Sequence, residues 1–162
     1  MNEIYRTFFG LSREPFSSEI NLSEILPTPE LLSVKERFDY AIRLGAVALV
    51  TGEIGSGKST ALRYACDQLH PSEYRLLHIT ASSGSILELY RQLLSELGME
   101  HSTTSRAVMS RLIKSEIQQL VLGKKLKVVL IVDEASLLRL EVFAELHTIC
   151  QFECGTQGKM SG

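Results

Sequence analysis

Ala46-Val47-Ala48-Leu49-Val50-Thr51-Gly52-Glu53-Ile54-Gly55-Ser56-Gly57-Lys58-Ser59 is the stretch on which the fold turns. Its first five residues are apolar and few, the pattern of a short buried strand. Gly52 to Ser59 then fits G-x-x-x-x-G-K-[ST]. The run from Ser59 to Leu69 reads as a helix. A strand, a glycine-rich loop and a helix in that order aim backbone N–H groups and a helix N-terminus at one point, where an anion can sit. The glycines let the chain wrap phosphate oxygens, Lys58 reaches the β- and γ-phosphates, and the Ser59 hydroxyl suits Mg²⁺. The predicted nucleotide contacts are therefore Gly52, Glu53, Ile54, Gly55, Ser56, Gly57, Lys58, Ser59 and Thr60. A glycine-rich turn with an exposed lysine is the bland alternative. It leaves the preceding apolar run and the following helix without a purpose.

A second stretch completes the chemistry. Val128-Val129-Leu130-Ile131-Val132 is a continuous apolar run that ends in Asp133-Glu134. A strand that delivers a carboxylate to the edge of a sheet is how phosphate-loop proteins hold Mg²⁺. Asp133 takes that role with Ser59. Glu134, one residue on, can polarise a water for in-line attack on a γ-phosphate. Glu134 and Lys58 are the expected catalytic residues. A solvated acidic turn is the ordinary reading of Asp-Glu after a strand, and the upstream loop displaces it.

The rest of the chain supplies the frame. Residues 1–29 carry Phe8-Phe9-Gly10-Leu11, Pro15-Phe16 and Pro27-Thr28-Pro29, and read as an irregular wrapping segment whose aromatics pack on the core. Glu30 to Leu44 is predicted helical, with Thr28 as N-cap, Pro29 at the first helical position and Leu31, Val34, Phe38, Ala41 and Ile42 along one face. Tyr74 to Thr80 is a strand. Helices follow at about Ile86 to Leu97, stopped by Gly98, and at about Arg106 to Val121, introduced by His101-Ser102-Thr103-Thr104-Ser105. Lys127 to Val132 is a strand and Glu141 to Gln151 a helix. Residues 153–162 have little to bury and are expected to be a disordered tail. Strands alternating with helices give an α/β fold with a parallel sheet, whose ligands lie at the carboxyl ends of the strands. Gly52–Ser59 and Asp133–Glu134 both fall there.

Composition bounds the possibilities. The 162 residues are 44% hydrophobic and 22% charged, with a net charge of −2. No global basic field announces nucleic acid, so DNA contact has no support from charge. No apolar run approaches the roughly 20 residues of a membrane span. The start lacks the features of a signal peptide. Three cysteines, Cys66, Cys150 and Cys154, suit a reducing compartment, and cytoplasm is the expected location. Cys150-x₃-Cys154 has no matching second pair for a metal site. Lys124-Lys125-x-Lys127 reads as a solvated turn after a helix.

The chain resembles AAA-type ATPases of the ExeA secretion-pathway kind, a group similar in turn to helper ATPases of bacterial transposons. Tyr5, Phe8-Phe9-Gly10-Leu11 and Pro15-Phe16 are similar to the N-terminal signature of that family. Val50 to Thr60 is similar to its phosphate loop. Val132-Asp133-Glu134-Ala135, Leu137-Leu138 and Glu141-Val142-Phe143-Ala144-Glu145-Leu146 are similar to its acidic motif and the helix after it. The match covers about residues 3 to 153. Ser136 stands where the family commonly has His or Gln, and His147 where it commonly has Arg.

The resemblance implies a three-layer P-loop NTPase fold with residues 30–152 as a partial AAA core. It implies ATP and Mg²⁺ as ligands, assembly into a homo-oligomer, and a protein partner such as a secretion component or transposase. It also sets an expectation about what is missing. The family's sensor strand, last strand, arginine finger and helical lid have no counterpart here, so a truncated protein of low stability is expected. In the family fold the sensor strand lies between the strand ending at Val50 and the strand ending at Val132. Three functions are compatible with these residues: an ATPase that remodels a protein or protein–DNA assembly, a remnant that binds nucleotide without turnover, and a small-molecule phosphotransferase. Glu134 fits water better than an acceptor alcohol, and no acceptor site is evident.

Overall fold

The computed structural model describes residues 3–12, 14, 21–81, 85–99, 102 and 104–157. The chain divides into two units, residues 1–43 with 47–68, and residues 44–46 with 69–162.

Among the described residues the first unit holds three α-helices. α1 spans Glu3–Phe9. It ends at Gly10, whose φ of +64° lets the Gly10 N–H reach Thr7 O at 3.3 Å and the Leu11 N–H reach Arg6 O at 2.8 Å. That pair of bonds satisfies carbonyls the helix would otherwise leave open. A single helical turn of residues also forms at Leu22–Glu24. The expectation of a wholly irregular first segment is thereby corrected: its prolines lie beyond residue 14 and place no constraint on residues 3–9. Its aromatics are not core either. Phe8 and Phe9 are 80% and 68% exposed and meet each other edge to face with centroids 4.9 Å apart. Pro15 and Phe16 lie outside the described residues.

α2 spans Pro29–Leu44, with the Leu31 N–H donating to Thr28 Oγ1 at 3.3 Å, the cap that the sequence predicts. It buries Leu31, Phe38 and Ala41 from the predicted face. α3 spans Lys58–Asp67 and buries Ala61 and Ala65.

The predicted strand at Ala46–Val50 does not form. These residues belong to no ladder, and Val47 and Leu49 are 85% and 78% exposed. An apolar run becomes a strand only when neighbouring backbone satisfies its N–H and C=O groups, and no described segment pairs with it. Apolarity alone does not make a ladder.

The second unit is a two-stranded parallel sheet with helices. β1 (Tyr74–Thr80) pairs with β2 (Lys127–Asp133) over their whole lengths, from Tyr74 opposite Lys127 to Thr80 opposite Asp133. Parallel neighbours need a long crossover. It is supplied by α4 (Ile86–Glu96) and α5 (Arg106–Gln118), the latter continuing into a wide helical turn at Gln119–Gly123. Gly98, at φ +76°, stops α4 as the sequence predicts. Gly84, His101 and Thr103 lie outside the described residues. The core gathers Leu77 and Ile79 of β1, Leu89, Tyr90, Leu93 and Leu94 of α4, Met109, Ile113 and Ile117 of α5, and Val142, Leu146 and Ile149 of the last helix. That helix, α6, spans Leu140–Gln157, longer than predicted and running into residues assigned from sequence to the tail. Residues 158–162 lie outside the described part. Among the described residues no helix is long and apolar enough to cross a membrane.

Candidate nucleotide site

The loop Gly52–Gly57 is shaped by its glycines. Gly55 and Gly57 have φ of +82° and +81°, in the left-handed region where a side chain is strained. A Cβ at Gly52 would come within 2.7 Å of Ser56 Oγ. The loop closes through the Ser56 N–H on Glu53 O at 3.2 Å, and α3 begins with the Ala61 N–H on Gly57 O at 2.9 Å. Gly57 caps α3 without a side chain, so no protein oxygen from the cap position covers the first amides of the helix. Such an end is suited to an anion. Lys58 Nζ donates to Gly52 O at 3.0 Å and Glu53 O at 2.7 Å. The ammonium is therefore tethered to the first two residues of the loop. Ser59 and Thr60 lie exposed in the first turn. A glycine cradle, an uncapped helix start, one lysine and one hydroxyl form a donor set that fits the phosphates and metal of a nucleotide.

Asp133 and Glu134 sit at the carboxyl end of the sheet in the second unit. Asp133 is half-buried and its carbonyl accepts from the Ala81 N–H at 2.8 Å, which locks the end of β2 against β1. Its carboxylate Oδ1 accepts from the Glu134 N–H at 2.9 Å. Glu134 is exposed and has φ of +54°, unusual for a residue with a long side chain. Its carbonyl accepts from the Leu137 N–H at 2.9 Å, opening a short turn at Ala135–Leu137. This sharp turn carries the chain away from the strand and leaves two adjacent carboxylates at its tip. Thr80 stands in register with Asp133, and no hydrogen bond joins Thr80 to Glu134.

One polar cluster was not legible in the sequence. Tyr90 Oη donates to Glu145 Oε1, and Arg106 donates to Glu145 Oε2 at 2.8 Å, so three helices meet at one carboxylate. The sole sequence signal is a tyrosine on the apolar face of α4. Among the described residues no group of three or more His, Cys, Asp and Glu side chains is placed to hold a metal ion. His70 is occupied in a turn, its Nδ1 2.7 Å from Ser72 Oγ.

A parallel α/β sheet with a glycine phosphate loop and an acidic strand end defines the P-loop NTPase class. Residues 42–162 match the AAA domain family, and the chain belongs to it. It is similar to the General secretion pathway protein A of Aeromonas hydrophila, with 30% identity over 159 residues, 93% of this chain. The chain spans 27% of the length of that relative.

Proposed function

We propose that this chain binds ATP with Mg²⁺ and serves as the hydrolytic core of an ATPase. The observation that carries the reading is the loop itself. Two left-handed glycines lead into an uncapped helix start with Lys58 tethered to the first two residues of the loop. Gly52 to Thr60 wrap the phosphates through backbone amides, and Lys58 neutralises the β- and γ-oxygens. By their motifs, Ser59 and Asp133 are the residues that would serve the metal. Mg²⁺, when bound, offsets the charge that develops on the phosphates. The Glu134 carboxylate accepts a proton from the attacking water. The nucleotide draws Lys58 away from the Gly52 and Glu53 carbonyls, which the ammonium exchanges for phosphate oxygens.

The similarity to General secretion pathway protein A supports work on a secretion pathway, and the form of that work in this reading is rearrangement of a protein assembly. The partner is a component of a secretion pathway, engaged by a homo-oligomer. Titration with a fluorescent ATP analogue tests the core of the reading. Lys58→Ala is expected to weaken binding by at least tenfold, and Glu134→Gln to keep binding while abolishing phosphate release. Unchanged affinity in Lys58→Ala overturns the site. Tight binding without turnover by the unaltered chain favours a nucleotide-binding remnant instead.

A further inference from the structure

A groove of about 480 Å³ opens in the second unit at the amino end of the sheet, at the opposite end of the ladder from Asp133. Its size falls in the range of small-ligand pockets. Leu69, Pro71, Leu76, Leu97, Leu120 and Leu126 give it an apolar lining. Among the described residues none of β2 contributes, so the groove is set apart from the strand edge at which the family carries its sensor strand. Turns closed by their own backbone hold it open. Before β1, His70 O accepts from the Glu73 and Tyr74 N–H groups at 3.0 and 3.1 Å. After α4, the Met99 N–H closes on Leu94 O at 2.9 Å. After α5, the wide turn at Gln119–Gly123 ends with the Lys124 N–H on Gln119 O at 3.1 Å and the Leu126 N–H on Leu120 O at 2.9 Å. Wide helical turns of this kind are frequent at functional sites. The walls exist before any ligand arrives, so a ligand does not have to order them.

The polar groups of the groove are unbalanced in charge. Arg75 and Lys124 line it, and Lys127 brings its ammonium 5.6 Å from the centroid of the Tyr74 ring, which lines it too. One carboxylate, Glu116, stands against these cations. A second acid nearby, Glu96, is occupied: its carboxylate accepts from the His78 N–H at 3.1 Å and its carbonyl accepts from Arg75. Lys124 is exposed and forms no ion pair among the described residues. We propose that this groove binds a small amphipathic anion, a molecule with an apolar body and one negatively charged group. The body lies against the leucines, and Lys124, with Arg75 beside it, takes the charge. An apolar body alone would leave the cations uncompensated, and a wholly polar anion would leave the leucines wet. Charge complementarity therefore selects a ligand that carries both features. The site is separate from the phosphate loop, which belongs to the first unit.

Fluorescence titration of the full chain with anilinonaphthalene sulfonate, an apolar anion, tests the proposal. No nucleotide is present, so failure here leaves the reading of the phosphate loop untouched. Circular dichroism and a cooperative urea transition confirm that each variant is folded. The probe is expected to saturate a single site and to be displaced by decanoate. Decanol, with the same body and no charge, is expected to displace it less well. Lys124→Glu is expected to weaken decanoate binding by about tenfold, the loss of one hydrogen bond between charged groups. Lys125→Glu changes the net charge equally and is expected to leave binding as it was, because Lys125 does not line the groove. Decanoate is expected to shift the NMR amide signals of Leu76, Leu120 and Leu126. Absence of saturable binding, equal loss in the two lysine variants, displacement by decanol as strong as by decanoate, or shifts confined to other residues overturns the proposal.

Discussion

The phenol of Tyr90 donates its proton to the carboxylate of Glu145, a residue 55 positions further along the chain, and that bond ties α4 to α6. Tyr90 lies wholly buried in the core, and Arg106 of α5 takes the other oxygen of the same carboxylate. Because α6 follows the Asp133–Glu134 turn, the cluster fixes the helix that anchors the acidic end of the sheet. Tyr90→Phe keeps the ring and removes one donor. It is expected to destabilise the second unit by about 1 kcal/mol, read as a lower urea midpoint. Tyr90→Ala additionally opens a cavity and is expected to cost about 3–5 kcal/mol. A Tyr90→Phe chain as stable as the original would show that the bond contributes nothing net.

The same cluster sets a pH dependence. The Tyr90 hydroxyl, and after it Arg106, hold the Glu145 carboxyl below the usual carboxylate range against the opposing effect of burial. A carboxyl lowered in the folded state adds stability above its unfolded value of about 4.3, and that contribution is lost as pH falls through the folded value. Burial, and then Glu145 itself, raise the Tyr90 phenol. Its contribution is present below an unfolded value of about 10 and is lost as pH rises through the folded one. Stability from this cluster is therefore flat between those limits and falls on both sides. The difference in urea midpoint between the original chain and Tyr90→Phe is expected to shrink below pH 4. A constant difference down to pH 3 would separate the cluster from the acid limb.

Most of the second unit could be read from the chain. The apolar Leu76, Leu77 and Ile79 within Tyr74–Thr80, the continuous apolar run Val128–Val132 and the glycine stops each state a local rule that tertiary structure leaves intact. The shape of the loop Gly52–Gly57 was legible for the same reason, since its glycines act through their own φ angles. Ala46–Val50 was misread because a strand is a relationship between segments, and five apolar residues do not carry their partner with them. Phe8 and Phe9 were assigned to a core on hydrophobicity, but covering them requires a surface that α1 does not find among the described residues. Tyr90, Arg106 and Glu145 converge from three helices, and no spacing rule joins residues so far apart. The left-handed backbone of Glu134 was equally hidden, since its residue type argues against it.

That backbone supplies the last prediction. Among the described residues two other than glycine have positive φ, Lys125 at +56° and Glu134 at +54°. A side chain in this region is strained by roughly 1–2 kcal/mol, and asparagine tolerates it better. Lys125 lies in the turn before β2, at the opposite end of that strand from Asp133, whereas Glu134 is the proposed base. Lys125→Asn is expected to stabilise the chain by up to about 1 kcal/mol and leave nucleotide affinity and turnover as they were. Glu134→Asn is expected to give a similar gain in the urea midpoint while abolishing turnover. Unchanged turnover in one variant and lost turnover in the other, from two substitutions that relieve the same strain, would mean that Glu134 is kept in its unfavourable conformation for its carboxylate. If Glu134→Asn turned over ATP at the original rate, the residue would be a turn former and the base would lie elsewhere.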